Sequence, residues 1–318
     1  MAFVRHYLLA VQFFTRLPIT GRLAGWVGYS PEMLRASAAH FPGVGWLVSA
    51  VAMGVYALLW TALAGSPGAA LVAAVFSTAA TVWLTGGLHE DGLADVADGL
   101  GGSLDRSRAL QIMKDSHIGA FGAMALVLVL LAKVALLALL GTHGLGVVLA
   151  ALAGGHVLSR FWPLLLVRAL PHIGDAAQSK SKPLAGQITA WALGVAFLWC
   201  FMPLALIGWT QGALFLIASS AASAITFITL WRWFTRRLQG FTGDCLGATQ
   251  QVCEIAFYLG AAVAVAQGLR PCGSGWCATH SRWWTRGFVT AGLTCPPTRT
   301  PPRPARRHWQ PPCPCTRH

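Results

Sequence analysis

The stretch "GGLHEDGLADVADGLGGS", residues 86–103, holds Glu90, Asp91, Asp95 and Asp98, four of only ten acidic residues in the chain. Asp91, Asp95 and Asp98 stand at i, i+4 and i+7. At 100° per residue they share an arc of about 60° on one helical face. Glu90 points away from that arc. Three carboxylates on one face repel one another unless a cation neutralises them. A small set of hard oxygen ligands suits Mg²⁺ or Mn²⁺ that also holds waters and substrate phosphate. Two such ions would clamp a phosphoryl group during an in-line displacement. The competing reading is a solvated acidic face on a loop helix. The metal reading is preferred because the acids crowd against an apolar run in an acid-poor chain. Asp91, Asp95 and Asp98 are therefore the expected metal ligands.

Further polar residues surround this cluster. Lys114 and Asp115 precede Ser116, Gly119 and Gly122, which open the next apolar run. A helix N-terminus with small residues accepts anions, and Lys114 offers diphosphate a point charge. Anchoring of Lys114 at the membrane surface is the alternative. Lys133, His156 and Arg160 fall inside apolar runs, where charge is by default functional. Arg160 is the stronger choice for a substrate phosphate, and Lys133 has pairing with a neighbouring helix as its alternative. "SKSKPLA" (179–185) and "FTGDCLGATQQ" (241–251) supply Lys182 and Asp244. Asp244 is expected to complete the polar site, because its loop shares a membrane face with the first cluster.

The elements that must carry these residues are membrane helices. The 318 residues are 55% hydrophobic and 10% charged, against about 25% charged in soluble domains. Spans are predicted at 41–64, 68–88, 118–140, 145–167, 188–209 and 212–231, each supplying the roughly 20 apolar residues a bilayer needs. A seventh run, 252–267, is short and expected to cross poorly. Continuous apolar runs argue against a β-barrel. The fold class is all-α, a polytopic helical bundle, with residues before Pro18 forming an amphipathic interfacial helix. Lys and Arg fall in the N-terminal segment and in the 89–117, 168–187 and 232–251 loops. They are absent from 65–67, 141–144 and 210–211. The positive-inside rule then places the long loops in the cytoplasm. Cys200, Cys245 and Cys253 read as reduced thiols.

From about Arg270 the composition changes. The final 49 residues hold eight Arg, nine Pro, four Trp and five Cys, with no Asp, Glu or Lys. Tidy zinc-ligand pairs are lacking. A lipid-binding basic tail is one reading; a frameshift in a GC-rich gene is preferred. The expected division is a membrane domain over 1–267 and a disordered tail over 268–318. Removing the eight Arg from the net charge of +13 leaves +5, so the basic balance is no argument for a nucleic-acid partner, and none is expected. The oligomeric state stays open.

"FFTRLPI" (13–19), "GGLHEDGLADVADGLGG" (86–102), "IMKDSHIGAFG" (112–122), "SKSKPLA" and "TGDCLGA" (242–248) resemble, in order, the cobalamin synthase family, or adenosylcobinamide-GDP ribazoletransferases. The resemblance implies a multi-pass enzyme of the bacterial inner membrane, its active-site loops cytoplasmic and its cofactor Mg²⁺. It would join adenosylcobinamide-GDP to α-ribazole or its 5′-phosphate, yielding adenosylcobalamin or its 5′-phosphate and GMP, late in cobalamin biosynthesis. By the same resemblance Asp91, Asp95, Asp98, Asp115 and Asp244 are the expected catalytic residues, and His89, Lys114, Arg160 and Lys182 the expected substrate-binding ones. Glu90 is left outside this set. A CDP-alcohol-type phosphotransferase and a cation transporter are the alternatives. The first lacks its longer Asp spacing here, and the second its mid-membrane acids and repeats.

Overall fold

The computed structural model describes residues 2–173 and 188–268. The 268–318 tail, apart from Gly268, and Lys182 with its "SKSKPLA" segment lie outside them. Among the described residues the fold is all-helical, and extended pairing is confined to one bridge between His172 and Phe241. In order come α1 (Ala2–Phe14), α2 (Gly21–Val27), α3 (Pro31–Ser37), α4 (Phe41–Ala62), α5 (Ala69–Thr85), α6 (Leu88–Gly102) and α7 (Arg106–Ile112). Then follow α8 (Ala120–Thr142), α9 (Leu145–Leu158), α10 (Trp162–Ala169), α11 (Ala190–Gln211), α12 (Ala213–Arg237) and α13 (Gly243–Gly268).

Among the described residues six helical segments are long and apolar enough to cross a membrane, or seven if the bent pair α5–α6 counts as one. Two predicted boundaries change. The run at 252–267 is only the latter part of α13, whose 26 residues reach about 39 Å at 1.5 Å per residue, ample for a crossing. Its start was hidden because Gln250, Gln251 and Glu254 break the apolar pattern. They are buried against other helices. The segment at 68–88 becomes α5, whose axis then turns by 90° into α6. The turn is made by Gly86 and Gly87, at φ +72° and +71°, a left-handed conformation that costs glycine little. Their N–H groups close the end of α5 on Trp83 and Val82 carbonyls at 3.2 and 2.9 Å. At 17 residues, α5 reaches about 26 Å, and α6 leaves its line to lie against the first turns of α8 and α13.

The amphipathic helix is α1. It ends at Phe14, short of Pro18, and buries Leu9, Ala10 and Val11. Ala10 and Val11 pack with Val44 and Val48 of α4 and with Leu84. Small residues let the long helices touch, as membrane bundles require. Gly45 meets the His156 backbone, and Gly260 the backbone at Ala218 and Ser219. Trp191 and Trp209 stand exposed near the two ends of α11. Their separation of eighteen positions is about 27 Å along the axis, and Trp is enriched at both bilayer interfaces. The remaining predicted spans map onto α4, α8, α11, α12 and the broken pair α9–α10.

Candidate active site

α6 is helical throughout the acidic stretch, and its face carries a gradient of burial. Asp91 is exposed, Asp95 half-buried and Asp98 buried at 7% exposure. The gradient follows from what each residue meets. Asp98 reaches the first turn of α8, where its two oxygens accept the Gly119 and Gly122 N–H groups at 2.7 and 2.8 Å. The anion predicted for that helix N-terminus is thus the protein's own carboxylate. A Cβ at Gly119 or Gly122 would overlap it, which explains the small residues there.

Asp91 and Asp95 instead line a pocket of about 660 Å³. Its walls include Thr15 and Arg16 from the segment after α1, Thr85 and Gly86 at the α5–α6 turn, Glu90, and Ser116 before α8. Asp244 approaches the same face from α13. Close contact makes this possible, because a Cβ at Gly92 would meet the Asp244 carbonyl at 2.9 Å, and one at Gly247 the His89 carbonyl at 3.1 Å. Thr242 Oγ1 donates to Asp244 Oδ2 at 3.2 Å. Burial first, then the charges of Asp244, Asp91 and Asp98, push the Asp95 carboxyl up to about 7. Carboxyls this crowded resist joint ionisation in the absence of a cation.

Among the described residues no three His, Cys, Asp or Glu side chains converge on one metal position. The site is therefore no closed protein cage. It fits Mg²⁺, which is held by one or two carboxylates while waters and substrate phosphates fill its other positions. The oxygen-only donor set agrees, and Asp98, already engaged by α8, is the least available of the three.

The other expected residues scatter. Asp115 is exposed and pairs with His117 Nδ1 at 2.6 Å; Lys114 is exposed beside it. Neither lines the pocket. His89 and Arg160 lie in the protein interior, both against the α4 residue Phe41. The His89 ring stacks on Phe41 at 5.7 Å, and the Arg160 guanidinium carbon is also 5.7 Å from its centroid. Arg160 sits in the break between α9 and α10, 2% exposed, and donates to the His156 carbonyl at 2.7 Å.

Sequence reasoning missed a second polar assembly. Glu254 of α13 is its hub, bonded to Lys133 of α8 at 2.7 Å, His156 of α9 at 3.3 Å, Gln250 at 2.6 Å and Tyr258 at 2.9 Å. Lys133 thus takes the neighbouring-helix partner foreseen as its alternative. Gln251 joins the assembly to the pocket, donating to Gln250 at 3.1 Å and to Glu90 Oε1 at 2.9 Å. Glu90 is buried because it belongs to both. The signal available was Glu254 itself, an acid within the run 252–267 of an acid-poor chain.

Described residues of the loops at 89–117, 168–187 and 232–251 meet at this end of the bundle: Ser103 with Arg237, and Pro171 and Ile173 with Phe241. Arg237 donates to the Ser103 carbonyl at 2.6 Å, the Ile173 N–H donates to the Phe241 carbonyl, and the Phe241 N–H donates to the Pro171 carbonyl, the last two at 3.0 Å.

Fold and pocket together define an integral membrane protein that presents a row of carboxylates from one helix to a pocket, with Asp244 of a second helix beside that row. Residues 6–262 match the family described as cobalamin-5-phosphate synthase. A protein of Polaromonas naphthalenivorans named adenosylcobinamide-GDP ribazoletransferase is 62% identical over 277 residues, covering 83% of this chain and 100% of its own. A relative of that name from Albidiferax ferrireducens is 60% identical, covering 83% and 99%; another from Vibrio cholerae is 41% identical, covering 80% and 91%. No solved structure matches the chain. The chain belongs to the cobalamin-5-phosphate synthase family and is a transferase.

Proposed function

We propose that the pocket between α6, the α1 exit and the start of α8 is where adenosylcobinamide-GDP is joined to α-ribazole or its 5′-phosphate, releasing GMP. Asp91 and Asp95 would hold Mg²⁺, with the charge of Asp244 on the adjoining helix adding to the negative field around it. The ion, when bound, supplies positive charge to the diphosphate and to the leaving phosphate. The chain's own residues do the rest. Asp98 fixes α8 against α6, the Gly92–Gly247 contact brings Asp244 beside the acidic face, and Ser116 on the pocket wall offers a hydroxyl to a polar substrate. A ribose hydroxyl attacks the phosphorus on the cobinamide side. The new P–O bond forms as the bond to GMP breaks, GMP leaves with the electron pair, and the hydroxyl proton passes to a pocket carboxylate.

The observation that carries this reading is the pair Asp91 and Asp95 on the pocket wall, with the charge of Asp244 from the adjoining helix close enough to act on Asp95. The names of the relatives supply the substrates. The concentration of Lys and Arg in the loops at this end supports a cytoplasmic face of the inner membrane. In reconstituted vesicles, GMP release that requires both substrates and a divalent ion is the expected result. Asp91→Asn and Asp95→Asn should each lower it on the order of 100-fold or more. Release at the unmodified rate in both variants would remove the pocket as the reaction site.

A further inference from the structure

Arg16 presents a cation to the pocket that Asp91 and Asp95 also line. It follows α1 in "FFTRLPI", and its backbone N–H donates to the Leu84 carbonyl at 2.8 Å, pinning this segment to the last turn of α5. The side chain then crosses Gly86. A Cβ there would meet Arg16 Nε at 2.5 Å and Cγ at 3.2 Å, so the path exists because position 86 has no side chain. The left-handed φ at Gly86 independently favours glycine.

Arg16 lines the same pocket as Glu90, Asp91 and Asp95. Even so, among the described residues its guanidinium makes no hydrogen bond, and no ion pair within 4 Å includes it. A flexible arginine facing carboxylates would collapse onto one of them if its stem were free. The Gly86 shelf and the Leu84 anchor hold it clear of them. A pocket that keeps a guanidinium and cation-binding carboxylates apart is matched to a group with several negative oxygens, some for the guanidinium and some for the cation. A diphosphate is such a group, and the planar fork of Arg binds two phosphate oxygens at once.

We infer that Arg16 grips the diphosphate of the nucleotide-activated substrate and so selects which substrate enters this pocket. The inference rests on the reading of the pocket given above. A phosphorylated riboside carries the same chemistry, and the acceptor is therefore varied in the test. In vesicles, with unphosphorylated α-ribazole as acceptor, Arg16→Gln should raise KM for adenosylcobinamide-GDP about 10- to 100-fold and leave KM for α-ribazole unchanged. Arg16→Lys should recover part of the loss, because it restores charge without the fork. Direct binding of adenosylcobinamide-GDP without divalent ion, followed by tryptophan fluorescence, should weaken by a similar factor in Arg16→Gln, and methylguanidinium should restore turnover to Arg16→Ala.

Unchanged nucleotide KM and binding in Arg16→Gln would overturn the inference, as would a KM effect confined to the 5′-phosphate of the riboside. The wider reading fails separately, through Asp91 and Asp95 variants that remain active.

Discussion

The two oxygens of Asp98 each accept one backbone N–H from the first turn of α8. Hydrogen bonds to an ionised group contribute roughly 1.5–3 kcal/mol, and a carboxylate also complements the helix dipole. Asp98→Ala should therefore lower the melting temperature in detergent clearly, and Asp98→Asn, which keeps one acceptor oxygen, should fall between the two. Asp91, exposed and without such partners, should behave in the opposite way, with activity lost in Asp91→Asn and the melting temperature unmoved. A drop of equal size for Asp91→Asn would show the two carboxylates doing the same work. The Lys133–Glu254 pair gives a second test. Removing one partner of a buried pair costs about 3–5 kcal/mol, because the other charge is left unpaired. Lys133→Met should destabilise strongly, and Lys133→Met with Glu254→Gln should recover much of that loss. Additive losses in the double variant would rule out the coupling.

At the level of helices, the site depends on how closely α6 approaches α13. Gly92 rests on the Asp244 backbone and Gly247 on that of His89. A methyl at either position forces the helices apart and moves Asp244 away from Asp91 and Asp95. Displacements well under 1 Å are enough to disturb a catalytic geometry. Gly92→Ala should reduce turnover on the order of 10- to 100-fold in protein that still inserts. Gly25→Ala, where a Cβ meets nothing within 4 Å, should leave turnover unchanged. Equal rates in the two variants would show that the spacing of α6 and α13 does not matter. The α5–α6 break has a related logic. Without the left-handed glycines α5 would continue straight, and the acidic face would run along the bundle in place of crossing the starts of α8 and α13.

For the whole molecule, the charge pattern and the meeting of three loops make one prediction together. A chain stopped at Gly268 keeps only Cys200, Cys245 and Cys253, all buried. In that background a cysteine at Leu104 should resist an impermeant thiol reagent added to intact cells, and one at Ser66, at the opposite end, should react. Labelling of Leu104→Cys from outside would reverse the orientation. The same truncation should retain at least the turnover of the full chain, because the residues beyond it share neither the apolar pattern nor the acidic motifs. Loss of turnover with insertion intact would show the tail to be a working part.

Sequence by itself determined the class and the location of the site. Charge is so scarce in an apolar chain that four acids within nine positions stand out without any structure, and the long apolar runs mark every crossing helix except α13, whose start polar residues conceal. Loop charge indicated that the motifs share one side. Tertiary structure alone decided which acids face the pocket. Helical spacing puts Asp91, Asp95 and Asp98 on one arc, but the docking of α8 takes Asp98 out of that set. His89 and Arg160 likewise turn inward, because Phe41 and the α9–α10 break receive them there. Glu254 and Gln251 read as interruptions of an apolar run until Lys133, His156 and Glu90 arrive from three other helices. Arg16 reads as one more basic residue near the N-terminus until α5 turns back beneath it. Contacts between helices distant in sequence leave no local periodicity, so no pattern along the chain reports them.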